Sequence, residues 1–373
     1  MKTQDNTTAA FFALLRAGLF ERPVSLSQYS PFDFAALYRL SEEQAVTGLI
    51  LDGLLRSEDI RPSPEELKDF RESVEIIEER NMAMNYFIGI IMDKMKDAGI
   101  EAVLVKGQGI ARCYAKPMWR AAGDIDFLLD GDNYQKAREF LTPFASSVAE
   151  EIVRARHIGM TIDPWDVELH GSLRGRISSR VNEVLDSVQE DIFRNGGGRV
   201  WDNDGTQVRL PSAGNDAFFI FAHLMDHFYR GGIGLRQICD WCQLLLTYRD
   251  DIDEDVLSRR LKEAGLPDEW HAFAAYAAEY LGMPSDAIPL YDEARKWKRK
   301  ARRINAFLLE VGNFGHNRDD SFYSKYPYLV YKTISFWRHL ADFCTHFMIF
   351  PRNSLNVFSY TLASGFKALG KGE

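Results

Sequence analysis

Apolar residues recur every three or four positions through much of the first hundred residues, a spacing typical of one face of an α-helix. The longest such stripe consists of Val74, Ile77, Met84, Ile88, Ile91 and Met95. Asn81 occupies its one polar position. Ser63, followed by Glu66 three residues later, is typical of a helix start, and Gly99 of a helix end. The pattern therefore predicts a helix of about 35 residues, roughly 50 Å long.

After Gly99 the apolar runs become short and are bounded by turn residues, which favours β-strands. The predicted strands cover residues 100–105, 125–129, 157–162 and 166–170, with a hairpin over 200–210 that turns at 202–205. Short helices are predicted at 108–114 and 131–141. From residue 212 onward the helical spacing returns, and helices are predicted over 213–229, 235–247, 254–264, 269–281, 293–311 and 328–347.

These patterns predict an α+β protein with a small mixed β-sheet core between two helical parts. The expected divisions are an N-terminal helical region (1–99), an α/β core (100–211) and a C-terminal helical domain (212–373). With 46% hydrophobic residues, the chain has ample apolar surface for a core, so a mainly disordered state is excluded.

Charge and cysteine content narrow the function classes. The formal charge of −9 argues against a protein that coats nucleic acid, although a local basic patch remains compatible with it. Four cysteines are too few for a disulfide scaffold. No secretory leader and no uncharged apolar run of about 18 residues is found, so a cytoplasmic protein without a transmembrane segment is expected.

The clearest candidate chemistry lies in the Gly-Asp-Ile-Asp segment that contains Asp124 and Asp126. Alternate residues of a strand face the same side, so the two carboxylates are expected to point together. Close ionised carboxylates repel each other unless a cation joins them, and magnesium favours such carboxylates together with substrate phosphates. An Asp-x-Asp pair alone is a weak signal, because many such pairs are surface turns.

Neighbouring segments strengthen this interpretation. Upstream, Lys106 and Gly107 end a predicted strand, and glycine lets backbone approach a phosphate. Arg120 precedes the aspartates by four residues and can reach a phosphate or form an internal salt bridge. Downstream, Glu168 and Asp166 share one strand face and compete as the third carboxylate.

Together these segments resemble the polymerase-β-type nucleotidyltransferase superfamily. The shared pattern is a strand ending in Lys-Gly, a short helix, an arginine, Gly-Asp-Ile-Asp-Phe, and an acidic strand ending in Glu-Leu-His. Within it the chain most resembles the bacterial family of uncharacterised nucleotidyltransferases, and more distantly the toxin-type minimal nucleotidyltransferases. The resemblance is strong over residues 100–172 and weaker through His223, His227, Arg236 and Asp240.

The resemblance implies a reaction and its catalytic residues. Asp124 and Asp126 would hold two Mg²⁺ (or Mn²⁺) ions, and Glu168 would complete a metal site and accept the proton of the attacking hydroxyl. A hydroxyl acceptor would attack the α-phosphate of a nucleoside triphosphate such as ATP, with pyrophosphate leaving. Glu168 departs from the commoner aspartate at its position, and Asp166 remains a competing candidate.

The resemblance also implies which residues contact the nucleotide. Gly107 and Gln108 would stand in the phosphate loop, and Lys106 and Arg120 would steady the triphosphate. His170 is expected either to orient a carboxylate or the nucleotide, or to be a structural histidine. Gln108 departs from the small residue usual after the first glycine, which makes the loop bulkier. If the loop rejects a triphosphate, the chain would be a catalytically inactive binding module of this fold, and that is the alternative hypothesis.

Three further features have mainly structural interpretations. His223 and His227 have metal-ligand spacing but lack the glutamate of a zinc protease, so they either face the cleft or pack between helices. Cys239 and Cys242 lack a redox or zinc context. The basic run 296–303 is expected to be a solvated helix face, or else to bind an anionic acceptor. The aromatic tail 322–366 is expected to pack in the core, or else to contact a membrane surface or a partner.

The predicted function is therefore transfer of a nucleoside monophosphate to an unknown hydroxyl acceptor. A small molecule, a protein hydroxyl, a biosynthetic intermediate and an RNA end all remain open, and the acidic charge disfavours nucleic acid. A helical scaffold with an incidental α/β insert is a third hypothesis, which predicts no effect of nucleotides.

Overall fold

The computed structural model describes residues 2–194, 198–230, 232–311 and 328–359. It begins with the helices α1 (Lys2–Leu19), α2 (Phe34–Glu43), α3 (Thr47–Leu55) and α4 (Lys68–Asp97). The long predicted helix is α4, which has 30 residues. Ser63 and Glu66 form the expected reciprocal hydrogen bonds, but residues 64–67 form turns before α4 begins. The helix therefore starts later than the capping signal indicated.

A mixed five-stranded sheet follows α4. Its strands are β1 (Ala102–Val105), β2 (Ile125–Leu129), β3 (Ser147–Val148), β4 (His157–Ile162) and β5 (Trp165–His170). They are ordered β1-β2-β5-β4-β3, and β2 and β5 are parallel whereas the other neighbouring pairs are antiparallel. The predicted α+β class with a small mixed sheet is confirmed. The short edge strand β3 was not predicted.

Three helices and a hairpin surround the sheet. Helix α5 (Gly107–Ala111) connects β1 to β2, and α6 (Asn133–Leu141) connects β2 to β3. Helix α7 (Ser179–Arg194) follows the sheet and was not predicted, although its buried apolar residues have helical spacing. The predicted hairpin forms a separate two-stranded sheet from β6 (Arg199–Asn203) and β7 (Thr206–Leu210).

The C-terminal part is helical, as predicted. It contains α8 (Ala213–Arg230), α9 (Leu235–Thr247), α10 (Glu254–Ala264), α11 (Pro267–Tyr276), α12 (Arg295–Val311) and α13 (Tyr328–Ile349). A π-helical turn, Ala277–Leu281, extends α11. The predicted packing of the aromatic tail lies partly outside the described residues, since it includes 322–327 and 360–366. Among the helices that the structure describes, none has the length and apolar character needed to cross a membrane.

The two faces of the sheet pack into different apolar cores. Phe127 and Leu169 face a core formed with α4, α6 and the hairpin, whereas Leu128 belongs to a larger helical core. That helical core joins α1 of the N-terminal part to α9 and α11 of the C-terminal part, so these helices pack together. The division at residues 99 and 211 stays a prediction. Asp126 alternates with Phe127 and therefore lies on the face that meets the helical core.

Candidate active site

The parallel pairing of β2 with β5 brings three carboxylates together. Asp126 lies opposite Glu168 in the register, and Asp124 immediately precedes β2 on the same face. Carboxylate oxygens of Asp124, Asp126 and Glu168 lie within 4.8 Å of one another. Asp166 points to a different neighbour, since it accepts a hydrogen bond from Thr161 Oγ1 at 3.2 Å. Of the two candidates for third carboxylate, Glu168 is the one in this cluster.

Lys106 lies between β1 and α5 and contacts the carboxylate cluster directly. Its Nζ is 2.6 Å from Asp126 Oδ1, and the Asp126 side chain is only 2% exposed. The Lys106 backbone has φ 58° and ψ −146°, and Gly107 also has a positive φ of 39°. A positive φ is unfavourable for a residue with a side chain, such as Lys106, and strained residues of this kind cluster at active sites. The loop therefore holds Lys106 against the aspartates at a conformational cost.

Two histidines complete the shell of hydrogen bonds around the cluster. His170 Nε2 lies 2.7 Å from Asp126 Oδ1 and 3.3 Å from Glu168 Oε2. His157, its cross-strand partner in β4, places Nε2 at 3.1 Å from Glu168 Oε2. His170 therefore bridges two of the carboxylates, whereas His157 contacts one.

The carboxylates differ strongly in their tendency to ionise. The charge of Asp126, together with burial, raises the pKa of Asp124. Hydrogen bonds from His157 and His170 hold the pKa of Glu168 well below its usual range. Burial opposes the charged form of His170, yet its hydrogen bonds to Asp126 and Glu168 outweigh burial and raise its pKa. The negative charge of Asp124 is thus poorly compensated by its surroundings, in contrast to that of Glu168.

Helix α5 turns its glutamine away from the carboxylates and into the protein. Gln108 is 3% exposed, and its Nε2 donates to Asn81 Oδ1 of α4 at 2.8 Å. Asn81 in turn donates from Nδ2 to the carbonyl oxygen of Arg120 at 2.8 Å. Gly109 lies so close to β7 that an added Cβ would approach Leu210 Cδ2 to 2.9 Å. The side chain of Gln108 therefore connects α5 through Asn81 to the backbone that carries Arg120.

Arg120 forms a buried ion pair with a distant part of the chain. Its Nε and Nη2 donate to Asp240 Oδ1 and Oδ2 of α9, both at 2.7 Å. Tyr114 OH donates to the same carboxylate at 2.8 Å. Burial opposes the charged form of Asp240, but Arg120 outweighs it and lowers the pKa of Asp240. Arg120 was expected either to contact a phosphate or to form an internal salt bridge, and in the structure it forms the salt bridge.

Arg236, one turn before Asp240 on α9, has a different environment. Its Nη1 donates to the carbonyl oxygen of Ala121 at 2.7 Å, but its Nε is buried without a hydrogen-bond partner among the described residues. Burial, reinforced by the charge of Arg120, lowers its pKa. Arg236 is therefore a cation with unused donor capacity beside the carboxylates.

A cavity of about 220 Å³ opens between the sheet and helices α8 and α9. It is lined by the residues Lys106, Gly107, Arg120, Asp124, Asp126, Glu168, Arg236 and Asp240, and by His223 and His227 of α8. The two histidines contact each other, with their Nε2 atoms 3.1 Å apart. Burial lowers the pKa of both, so they are neutral near pH 7. Of their two expected locations, they occupy the wall of the cleft.

A family model described as uncharacterised nucleotidyltransferase matches residues 30–282, which is more than half of the chain. The chain belongs to this family. No curated protein and no solved structure matches it. The matched range includes the carboxylates, the Lys106 loop and the Arg120–Asp240 pair.

Two overlapping groups among the residues that the structure describes are close enough to hold a metal ion. One is Asp124, Asp126 and Glu168, and the other is His157, Glu168 and His170. The first offers only carboxylate oxygens, which suit hard cations such as Mg²⁺ and Mn²⁺. The repulsion that raises the pKa of Asp124 is one that a bound cation would relieve. The residues present therefore fit a divalent hard cation.

Three residues around the candidate site had no role assigned from the sequence. His157 contacts Glu168 because the β4–β5 register sets it opposite His170. Asp240 pairs with an arginine 120 residues away, a contact that local patterns do not reveal. Asn81 did carry a signal, as the single polar residue in the apolar stripe of α4.

Proposed function

We propose that this protein transfers a nucleoside monophosphate from a nucleoside triphosphate to a hydroxyl acceptor and releases pyrophosphate. The observation that carries the proposal is the convergence of Asp124, Asp126 and Glu168 within 4.8 Å beside an open cavity. Membership of a nucleotidyltransferase family supports the class of reaction. The family match identifies neither the nucleobase of the triphosphate nor the acceptor.

The carboxylates would hold Mg²⁺ or Mn²⁺, which supplies charge stabilisation to the attacking and leaving oxygens of a phosphoryl displacement. Asp124 is suited to this role because its charge is poorly compensated, whereas two histidines stabilise the charge of Glu168. Lys106 and His170 keep Asp126 fixed in its rotamer from two sides. The protein thus preorganises the donor oxygens before a nucleotide enters.

Glu168 is the residue that we propose accepts the proton. It remains ionised because His157 and His170 donate to it, so its carboxylate can accept a proton, and the same hydrogen bonds make it a weak base. As the acceptor oxygen bonds to the α-phosphorus, its proton passes to Glu168. The bond between the α-phosphorus and the bridging oxygen then breaks, and pyrophosphate leaves with the electron pair.

Arg236 and Lys106 are the cations that we propose contact the triphosphate. Both line the cavity, and Arg236 forms no ion pair with a carboxylate among the described residues. Guanidinium groups bind phosphate oxygens through parallel hydrogen bonds. Arg120 already donates from Nε and Nη2 to Asp240, so we assign it a structural role in the wall of the cavity.

The test is binding and turnover of the four common ribonucleoside triphosphates with Mg²⁺. At a concentration about 100 times its Kd, the preferred nucleotide should raise the Tm by several degrees. The double variant Asp124→Asn, Asp126→Asn should abolish that shift. Incubation of the protein with α-labelled nucleotide and cell extract should give a labelled product and free pyrophosphate.

Each outcome distinguishes the proposal from its alternatives. A Tm shift that requires both aspartates, without labelled product from any extract, would favour the inactive binding module. A shift that persists in the double variant would mean that the nucleotide binds elsewhere. No shift with any nucleotide would contradict both and favour a helical scaffold.

A further inference from the structure

A second cavity, of about 230 Å³, adjoins the first on the β5 side of the carboxylates. Glu168, Lys106, His223 and His227 line both cavities, so the carboxylate cluster lies at their junction. The second cavity does not include Asp124, Arg236 or Asp240 among its lining residues. A molecule in it can therefore meet Glu168 without occupying the space beside Arg236.

The walls of the second cavity are rich in cations. Arg174, Arg176 and Arg230 line it together with Lys106, against the carboxylates of Glu168 and Asp226. Arg174 is already paired, with its Nε 2.7 Å from Asp186 Oδ1. Arg230 Nη1 lies 3.1 Å from Asp226 Oδ2. These two arginines are largely neutralised by their own partners.

Arg176 differs from its neighbours in having a free side chain. Its backbone N–H donates to Asp226 Oδ1 at 2.7 Å, which anchors the loop to α8. Its exposed guanidinium forms no hydrogen bond or ion pair with any residue that the structure describes. Arg176 thus presents an uncompensated positive charge at the edge of this cavity, on a backbone that is held in place.

The two cavities are similar in volume, and both lie below the roughly 300–1,000 Å³ typical of pockets for drug-sized ligands. Part of a nucleotide would therefore extend beyond the first cavity, whereas a small molecule fits within the second. The floor is apolar and includes Leu173, Ile177 and Phe219. An occupant would therefore have a compact body on this floor, an anionic group towards Arg176 and a hydroxyl towards Glu168.

We propose that the second cavity binds the acceptor, and that the acceptor is a small hydroxyl compound carrying a phosphate or carboxylate group held by Arg176. This proposal rests on the proposed function, since it assigns Glu168 as the base that faces the acceptor. The geometry favours it because Glu168 is the member of the cluster that lines both cavities. Arg176 is then a specificity-determining residue for the acceptor.

The experiment uses the full chain saturated with Mg²⁺ and a non-hydrolysable α,β-methylene analogue of the preferred nucleotide. Glycerol 3-phosphate, glycerate and glycerol are titrated in separate calorimetric runs, because they share hydroxyl groups and differ in the anion. Both anionic probes should bind, and neutral glycerol should not. A stronger signal for one anion identifies which group the cavity prefers.

The variant Arg176→Gln keeps the backbone hydrogen bond to Asp226 and removes the charge. It should weaken binding of the anionic probe about tenfold or more, while binding of the nucleotide analogue stays unchanged. Arg259→Gln is the matched control, since Arg259 is an exposed arginine that does not line this cavity. It should bind the probes like the unaltered protein.

Several results would overturn the proposal. They are equal binding of all three probes, no binding of either anion, or unchanged anion binding in Arg176→Gln. Label that appears in RNA or protein rather than in small molecules, when α-labelled nucleotide is incubated with cell extract, would also overturn it. Failure to bind the nucleotide analogue at all would instead contradict the proposed function, so the two failures are distinguishable.

Discussion

Two buried carboxylates line the same cavity in contrasting surroundings, Asp126 on the sheet and Asp240 on helix α9. Asp240 is 7% exposed and faces one arginine in a two-point ion pair, with a tyrosine hydroxyl as a further donor. Asp126 faces Lys106 and His170 but also lies beside two more carboxylates. One group is balanced within the protein, whereas the other carries an excess of negative charge.

This difference indicates that the Arg120–Asp240 ion pair stabilises the fold, whereas the carboxylate cluster is suited to binding a ligand. In the balanced group the pKa of Asp240 falls, because Arg120 outweighs burial. In the crowded group the pKa of Asp124 rises, because Asp126 repels its charge. Proteins retain such repulsion mainly where a ligand relieves it. We therefore expect substitutions in the two groups to affect stability with opposite signs.

The largest effect is expected from Asp124→Asn. This change should lower nucleotidyl transfer about 10⁴-fold, equivalent to ~5.5 kcal/mol, because it removes a carboxylate that would hold the metal. The folded pKa of Asp124 is raised, so ionisation of this group costs stability as pH rises above its ordinary value. At pH 7 the variant should therefore unfold at an equal or higher denaturant concentration. Urea unfolding beside the transfer assay checks both effects.

Glu101→Gln is a suitable control for this prediction. Glu101 is exposed, and its ion pair with Arg209 at 3.4 Å lies outside the cavity. It should leave transfer unchanged and alter the free energy of unfolding by less than about 1 kcal/mol. If Asp124→Asn destabilised the protein by several kcal/mol, the proposed contrast between the two carboxylate groups would be wrong.

The next effect is expected from Asp240→Ala, and it falls on stability. The change leaves Arg120 buried without its partner, which should cost about 3–5 kcal/mol of unfolding free energy. The double variant Arg120→Met, Asp240→Leu should recover most of that loss, since apolar side chains of similar volume remove both charges. Urea unfolding of the single and double variants gives the two values.

The ion pair of Arg174 with Asp186 provides a matched control, because it has the same two-point geometry on the surface. Asp186→Ala should cost less than about 1 kcal/mol, since both side chains there are exposed. Equal losses in Asp186→Ala and Asp240→Ala would contradict the argument that burial makes the Arg120 pair important.

A smaller stability effect is expected from Gln108→Ala. Gln108 donates to Asn81, and its removal leaves Asn81 Oδ1 without that donor in a buried place, at a cost of about 1–3 kcal/mol. The Kd for nucleotide should change less than about twofold, because the Gln108 side chain faces α4 rather than the cavity. Urea unfolding and calorimetric titration test the two parts.

Gln135→Ala serves as its control, since Gln135 donates to Glu139 at 2.7 Å on an exposed helix face. It should leave stability nearly unchanged. A large rise in the nucleotide Kd for Gln108→Ala, with unfolding unaffected, would instead support a direct phosphate contact by Gln108.

The carboxylate cluster was predictable because it depends on local periodicity. Asp124 and Asp126 are two residues apart, and a motif in the next acidic strand supplies Glu168, so sequence order and strand alternation suffice. The strands 125–129 and 157–162 likewise match their apolar runs. The sequence alone did not decide between Glu168 and Asp166, because both lie on one face. They are separated by the β2–β5 register, which sets Glu168 opposite Asp126, and by the contact of Asp166 with Thr161.

The remaining parts depend on contacts between distant residues. Arg120 binds a carboxylate because Asp240 lies beside it. Asp240 is 120 residues away in the sequence and reaches Arg120 only through the packing of α9. The second cavity requires the loop after β5 to lie against α8, through the bond from Arg176 N to Asp226. Contacts between residues so far apart leave no periodic pattern in the sequence, so only the three-dimensional structure reveals them.

The smallest effect is expected from Arg236→Gln, and it separates the two arginines of the cavity. Arg236 has an unpartnered donor and no carboxylate of its own among the described residues, unlike Arg120. Loss of its charge should raise the nucleotide Kd about tenfold, or ~1.4 kcal/mol. Burial of its charge is only partly offset, by the hydrogen bond to Ala121 and by the charges of Asp240 and Asp124, so the free energy of unfolding should change by less than about 1.5 kcal/mol. Calorimetric titration at constant salt measures the Kd, and urea unfolding measures stability.

Arg236→Lys is the matched control, because it keeps the charge and loses the planar pair of donors. Its Kd should lie between those of the unaltered protein and Arg236→Gln. The opposite pattern would reverse the assignment of the two arginines. If Arg120→Gln weakened nucleotide binding more than Arg236→Gln without destabilising the fold, then Asp240 would be holding Arg120 ready for phosphate. The balanced ion pair would then belong to the binding machinery rather than to the scaffold.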